Sequence, residues 1–325
     1  MLESSDNNHP VAPSSATGPL VVKVGGAALD APAESAAIAA SIAALHKAWP
    51  SGTVVVHGGG TEVDRHLGRL GLVSEKRDGI RITPPAHIEE IVAVLAGKMN
   101  KRLVGQLQQQ GVPAVGLCLG DGFLVRTVKA AHYLFDPGQV GRAVGGDPLL
   151  VQTLLPAGFL PVLCSIGLDS QGLPLNVNAD DAAADLARLL DASNLMLLTD
   201  VPGVLAPNGQ VLPQLTPAQI EQRIARGEIT GGMVPKVRSA VATANDALIP
   251  VTIASWRDIA KIQRIAFGEW MGTRIVPDAP AHAGMPSSSA GLNGHNGVAV
   301  ETVAAAKRNG SPAFANAVAV VAGDL

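Results

Sequence analysis

The sequence predicts an α/β protein: a three-layer α/β/α sandwich with a mainly parallel central sheet, arranged in two lobes. Three observations carry that expectation. From Pro19 to Pro277, short apolar runs of strand character alternate with stretches of helical spacing, the order in which parallel sheets are assembled. Ala, Val and Leu dominate those runs, and most of the chain's 36 glycines punctuate them, the mix of strands buried on both faces and joined by tight turns. A chain of 325 residues is long for one ordinary domain and suits two packed lobes.

The elements follow in order. Leu20 to Val24 is a short buried strand ending in Gly25-Gly26. Residues 34–49 place Ile38, Ile42 and Leu45 at helical spacing. TVVVHGGG is a strand running into a glycine turn, and a helix runs from Thr61 to about Leu70, with Thr61 and Asp64 suited to its first turn. Leu72 to Thr83 reads as a hairpin turning at Asp78-Gly79. Residues 85–110 are helical with a break near Gly97, and Val112 to Leu119 is the next strand. An irregular β-excursion occupies 123–144, followed by a helix (147–157), a strand (160–166) and a hairpin around Gly172. A helix from about Asn178 to Leu190 leads into the strand NLMLLT, and Asn208-Gly209 turns another hairpin. Helices near 216–226 and 233–247 precede the strand PVTIAS, and GTRIV closes the unit.

The two ends differ from this body. Residues 1–18 are polar, rich in Ser and Pro and without periodicity, as in a flexible tail. Residues 278–325 open as a low-complexity linker and end in an Ala/Val-rich stretch, in which 296–307 has the composition of a short helix.

Composition excludes several classes. A net charge of −3 and 3% aromatic residues leave no basic footprint or stacking platform for nucleic acid. Two cysteines, Cys118 and Cys164, are too few for a disulfide framework or a structural zinc site, and both read as buried strand thiols. The first 22 residues hold no Lys or Arg and include Glu3 and Asp6, which argues against a signal or transit peptide. No apolar run reaches the about 18 residues of a membrane span. The expectation is a cytoplasmic protein with no membrane partner.

Ligands of open α/β sheets bind outside the carboxyl ends of the strands, so the polar residues just after apolar runs matter most. Five clusters stand there. In Lys23-Val24-Gly25-Gly26, a lysine within an apolar strand needs an anion or a partner, and two glycines offer backbone N–H groups at close approach. A lysine snorkelling before a turn fits that cluster equally well. His57-Gly58-Gly59-Gly60 opens a helix N-terminus toward an anion, without matching a Walker A loop or a dinucleotide fingerprint. His57 itself reads as a core histidine. Arg81 alternates with Ile80 and Ile82, which puts a guanidinium on the face opposite theirs, suited to clamping a carboxylate or simply to solvent. Asn176-Val177-Asn178-Ala179-Asp180-Asp181 holds more polar groups than capping by Asn178 needs. Thr199-Asp200-Val201-Pro202-Gly203-Val204-Leu205 pairs with Thr230 to Lys236, where glycines and a lysine precede a helix like phosphate-handling parts.

In this order and spacing, Lys23-x-Gly-Gly, HGGG, GIRIT, NVNAD, TDVPG and GGMVPK resemble the amino acid kinase family over roughly residues 19–277. AGKMNK (96–101), GLCLGDG (116–122), IASW (253–256) and MGTRI (271–275) support the likeness. The resemblance is nearest to the branch that phosphorylates the side-chain carboxylate of N-acetyl-L-glutamate in arginine biosynthesis, using ATP. It implies magnesium carried on ATP by phosphate oxygens and water, with no protein metal site. A carboxylate is already ionised at neutral pH, so no general base is required, and no His/Asp or Ser/His pair occurs among the clusters.

By the same resemblance, Lys23 and Lys236 flank the transferring group, with Asp180 between the two ammonium groups. Gly59, Gly60 and Gly26 donate N–H bonds to phosphoryl and carboxylate oxygens, and Arg81 and Asn176 bind the α-carboxylate. Gly25, Gly26, Asp200 to Leu205 (Val201, Pro202, Gly203 and Val204 between them) and Glu228, Ile229 and Thr230 line the nucleotide site. Residues 19–177 would form the acyl-amino-acid-binding and dimerisation lobe and 178–277 the nucleotide lobe. An acyl group other than acetyl, such as succinyl, stays open. A catalytically silent relative would have lost a lysine or the NVNAD aspartate, whereas Lys23, Lys236 and Asp180 are all present. A dehydrogenase would need the missing G-x-G-x-x-G. Pro10 and Pro13 interrupt the N-terminal segment that links dimers in the arginine-sensitive branch, and Lys261 to Ile275 resembles the insensitive form. The expectation is a homodimer insensitive to arginine.

Overall fold

The computed structural model describes residues 18–77, 79–258 and 271–277. The chain opens with β1 (Leu20–Val24), a short helix α1 (Gly26–Asp30), α2 (Pro32–Ala48), β2 (Thr53–His57) and α3 (Gly60–Arg69). A small hairpin, β3 (Lys76–Arg77) and β4 (Ile80–Arg81), leads to α4 (Ile88–Val92), which continues through a π-helical stretch (Ala93–Met99) into α5 (Asn100–Gln109). Then come β5 (Ala114–Cys118), β6 (Thr127–Lys129), β7 (Val140–Ala143), α6 (Leu149–Leu154), β8 (Leu160–Cys164), β9 (Ile166–Leu168) and β10 (Pro174–Val177). The remainder is α7 (Ala179–Leu189), β11 (Asn194–Thr199), β12 (Gln214–Leu215), α8 (Pro217–Ala225), α9 (Met233–Ala247), β13 (Val251–Ser255) and β14 (Thr273–Ile275).

Eight strands form one sheet in the order β12-β14-β13-β11-β1-β2-β8-β5, parallel throughout except between β13 and β14. Each face is covered by helices, as the continuous apolar strands require. On β1, Leu20, Val22 and Val24 join one core with residues of α2, α3 and α5. Val21 joins the opposite core with residues of α7 and α9. Period-two alternation therefore sends Lys23 to the α7 and α9 side. β1 has β2 on one side and β11 on the other, and the chain departs from it in both directions. That reversal opens a crevice at the carboxyl end of β1. A second sheet, β6-β7-β10-β9, brings Val140 and Asn176 to one side of the crevice.

Local chemistry accounts for the helix starts. The Asn178 side chain accepts from the N–H groups of Asp180 (2.8 Å) and Asp181 (3.3 Å), the cap expected of it. Thr216 and Gln219 form a reciprocal capping box on α8, with Pro217 in its first turn.

Several details depart from the sequence reading. GAALD after β1 is a helical turn rather than plain loop. The hairpin pairs only Lys76–Arg77 with Ile80–Arg81, turning through Gly79 at φ +80°; Asp78 lies outside the described residues. The break near Gly97 is a π-helical register change. The helix expected over 147–157 spans Leu149–Leu154. Cys164 is buried, but Cys118 lies on the sheet's edge strand and is only half-buried, with the two sulfurs 3.5 Å apart. All of the expected 1–18 tail but Gly18, the extension over 278–325 with its helix at 296–307, and most of Lys261 to Ile275 lie outside the described residues.

Candidate active site

Two cavities flank the carboxyl end of β1. The first, of about 270 Å³, is lined by Lys23, Gly26, Gly58, Gly59, Gly60, Lys76, Arg81, Ser165, Asn176 and Asp180, with Ile91 and Leu95 among its apolar residues. Its cations are Lys23, Lys76 and Arg81, against a single lining carboxylate, Asp180. With Asp64 paired to Arg81 and Lys76 from outside the lining, a net positive charge is left at this wall, which suits a small anion. Arg81 is buried and donates from Nη2 to the Gly60 carbonyl at 2.8 Å and from Nη1 to Asp64 and Ser74. The Asn176 amide donates to Thr83 Oγ1 at 3.1 Å. The solvated reading of Arg81 is thereby excluded.

The second cavity, of about 590 Å³, is lined by Lys23, Gly25, Gly26, Asp180, Thr199, Asp200, Lys236, Ser239, Trp256 and Arg257, with Leu197 and Ile253 providing apolar wall. Lys23 Nζ lies 2.8 Å from Asp180 Oδ1. Lys236 Nζ lies 2.7 Å from Asp200 Oδ1. Asp180 thus holds Lys23, Lys236 is paired with Asp200, and Asp180 lines the same cavity as both lysines. Lys236 stands in the first turn of α9 and reaches the carboxylate just beyond the end of β11. Its hydrogen bond to Asp200, against a smaller opposing effect of desolvation, keeps that carboxyl below the usual aspartate range.

The remaining nucleotide-site expectations fall outside the cavity lining. Val204 is buried, with its N–H bonded to Thr273 Oγ1 at 2.8 Å, and Gly203 sits at φ +139° where a Cβ would strike Thr273 and Val211. Val201, Pro202 and Leu205 belong to the same loop without lining either cavity. Glu228 is paired with Arg223 at 2.5 Å, Ile229 is buried and Thr230 is exposed.

The glycine loops after β1 and β2 abut. A Cβ on Gly26 would lie 3.0 Å from the Gly60 nitrogen and 3.1 Å from Gly59 Cα, so any side chain here would crowd the second loop and push the two apart. Gly59 caps α3 and Gly60 opens it, which directs the positive end of that helix into the first cavity. His57, at the end of β2, is wholly buried, and Asn100 Nδ2 lies 3.1 Å from its Nε2. Burial lowers its pKa to about 4, opposed by its contact with the Gly58 carbonyl, so it is a neutral core histidine as the sequence suggests.

Lys23, Gly26 and Asp180 line both cavities. A group bound in one therefore meets a group bound in the other beside an ammonium and a glycine loop. That arrangement suits transfer of a charged group between two ligands. No serine–histidine or cysteine–histidine pair lines either cavity, so nucleophilic catalysis by the protein has no apparatus among the lining residues.

Sequence reasoning missed Lys76, Ser165, Ser239, Trp256 and Arg257 as lining residues. Trp256-Arg257 follows an apolar strand just as Thr199-Asp200 does, so the strand-end rule was sufficient to find that pair. Lys76 and Ser239 carry no such signal.

Comparison with known proteins places this geometry. Residues 18–255 match the model of the amino acid kinase family. The chain is 44% identical over 259 residues to a protein of Pasteurella multocida named acetylglutamate kinase, covering 80% of this chain and 99% of the relative. It is 42% identical over 258 residues to one of the same name from Pectobacterium atrosepticum, covering 79% and 99%. Among solved structures, a Giardia carbamate kinase superposes with a TM-score of 0.57 at 18% identity, covering 80% of this chain and 99% of that one, a likeness of fold alone.

Proposed function

The chain belongs to the amino acid kinase family, beside relatives named acetylglutamate kinase, and we propose from that premise that it transfers the γ-phosphoryl group of ATP to the side-chain carboxylate of N-acetyl-L-glutamate. The product is N-acetyl-L-glutamyl 5-phosphate, an intermediate of arginine biosynthesis. The observation that carries the reading is the shared wall of Lys23, Gly26 and Asp180 between a small cation-rich cavity and a larger one with an apolar wall. The acyl amino acid occupies the first and the nucleotide the second, so acceptor and donor meet at Lys23.

The acceptor carboxylate is ionised at working pH and attacks phosphorus directly; the bond to the β-phosphate oxygen breaks, and ADP leaves with the electron pair. Lys23 and Lys236 stabilise charge spread over the transferring oxygens, and Asp180 fixes the Lys23 ammonium. N–H groups of Gly26, Gly59 and Gly60 hold the phosphoryl and acceptor oxygens. Arg81 and Asn176 take the α-carboxylate. Gly25 and Asp200 face the nucleotide, whereas the loop through Val201, Pro202, Gly203, Val204 and Leu205, with Glu228, Ile229 and Thr230, stands outside the cavity lining and is assigned to the nucleotide site by the family resemblance alone. Two lysines facing one cavity fit a triphosphate, and Mg2+ neutralises phosphate charge while held mainly by phosphate oxygens and water.

On the same reading, residues 19–177 build the acceptor lobe and 178–277 the nucleotide lobe. Cytoplasmic location belongs to it as well; among the described residues no helix is long and apolar enough to cross a membrane. A coupled ADP-release assay comparing N-acetyl-L-glutamate with glutamate, N-succinylglutamate and aspartate tests the proposal. The expected order puts N-acetyl-L-glutamate first by at least tenfold in kcat/KM, and a preference for aspartate or free glutamate overturns it.

A further inference from the structure

Asp64, which sequence reasoning treats as a helix first-turn residue, has a different environment. It lies in α3, and its carboxylate accepts from Ser74 Oγ (2.5 Å) and Arg81 Nη1 at Oδ1 and from Lys76 Nζ (2.7 Å) at Oδ2. Arg81 and Lys76 both line the acceptor cavity; Asp64 does not. Desolvation pushes the Asp64 carboxyl upward, but the bonds from Arg81, Lys76 and Ser74 outweigh it and hold the group well below the usual aspartate range.

The donor count on Arg81 gives this contact a consequence. A guanidinium carries five N–H donors. Nη1 spends its two on Asp64 and Ser74, and Nη2 spends one on the Gly60 carbonyl. The Nε–H and one Nη2–H remain for a ligand. Charge-assisted donors of this kind are what a carboxylate is held by.

We propose that Asp64 is a positioning residue: it anchors Arg81 through Nη1 so that the donors left on Nε and Nη2 are offered to the α-carboxylate of the acceptor, and it steadies Lys76 on the same wall. This rests on the acceptor reading of the first cavity. Geometry and net charge pull in opposite directions here, which makes the role testable. Replacing Asp64 by asparagine removes a negative charge from beside the cavity, so Coulomb attraction alone tightens binding of a dianion. Loss of the anchor weakens it.

The experiment measures kcat, both KM values and the inhibition constant of 4-acetamidobutanoate for Asp64→Asn, Ser74→Ala and Arg81→Lys. That analogue keeps the amide and the side-chain carboxylate and lacks the α-carboxylate. For Asp64→Asn the KM for N-acetyl-L-glutamate is expected to rise about tenfold or more, the scale of one charge-assisted hydrogen bond. Turnover and the KM for ATP stay within about threefold, and the inhibition constant of the analogue does not move. Ser74→Ala, which removes the other Nη1 partner, raises the same KM several-fold and covers the case in which Asp64→Asn does not fold. An unchanged or lower KM, or an equal loss of affinity for the analogue, overturns the proposal. If Arg81→Lys also leaves the KM untouched, the acceptor reading of the cavity falls with it; if only Arg81→Lys raises it, the role of Asp64 alone is wrong.

Discussion

Lys236 separates chemistry from stability more cleanly than any other residue of the site. Its side chain is 39% exposed and that of its partner Asp200 is 57% exposed. Ion pairs as open as this contribute about 0–1 kcal/mol to folding. Lys236 also stands in the first turn of α9, where a cation opposes the positive end of the helix dipole, and alanine suits the helix at least as well. A chain of this size loses about 2–4 °C of melting temperature per kcal/mol. The melting midpoint of Lys236→Ala is therefore expected within about 4 °C of the parent. Turnover has a different dependence. If the ammonium faces oxygens that gain charge only in the transition state, its loss costs about 10²–10³ in kcat, or ~2.7–4 kcal/mol. The assay is ADP release at saturating concentrations of both substrates, beside a thermal melt of the same preparation. A kcat within threefold of the parent would make Lys236 a surface residue. A large loss of activity accompanied by a fall of more than about 8 °C would make it a folding residue. Either result refutes its assignment to transition-state stabilisation.

Arg81→Lys is expected to raise the KM for the acyl amino acid and leave that for ATP nearly unchanged, because lysine keeps the charge and loses the two-pronged geometry; initial-rate kinetics decide, and an equal effect on ATP would move Arg81 to the other cavity. His57 stays neutral in the fold down to about pH 4, whereas its unfolded counterpart takes up a proton near 6.5. Its contribution to stability is complete above pH 6.5 and is lost as pH falls toward 4, about 3 kcal/mol in all. Urea midpoints at pH 4.5 and 7 should differ less in His57→Gln than in the parent, and an identical pH dependence would contradict this. The proposed homodimer, insensitive to arginine, is tested by sedimentation with an arginine titration; a six-subunit mass with inhibition at sub-millimolar arginine would overturn it.

What could be read from the sequence follows from how local each signal is. β1, β2, β8 and β11 are legible because burial on both faces makes them continuous apolar runs. Lys23 is conspicuous because a lysine in such a run demands an explanation, and Asn178 because an asparagine before an alanine-rich helix is a cap. The partner of Lys236 is not local. Which carboxylate it meets depends on where α9 comes to rest above the end of β11, and Asp180 and Asp200 are equally plausible on paper. Asp64 was hidden for the opposite reason: a satisfactory local role as a helix residue masked three partners brought to it by the following hairpin. The GAALD turn had glycine at its start and no apolar period long enough to announce a helix.

The position of Lys23 follows from the topology rather than from accident. Apart from β1 and the segment directly after it, Gly25 to Ala28, the first cavity draws its lining from residues up to Asp180, and the second from Asp180 onward. Each part of the chain thus builds one binding site on its own side of the sheet's reversal point. A reaction between two ligands held in separate sites needs a group that faces both, and only the strand at the reversal and the helix that begins beside it offer one. β1 supplies Lys23, the start of α1 supplies Gly26, and the first turn of α7 supplies Asp180. Alternation along β1 aims Lys23 toward α7, and capping by Asn178 fixes the turn from which Asp180 reaches it. Lys236, whose helix packs against β13, lines only the second cavity and stays with the nucleotide side. The two lysines are therefore not equivalent: Lys23 lines both cavities and Lys236 the second alone, so on the proposed reading Lys23 would border acceptor and donor alike and Lys236 would act from the donor side.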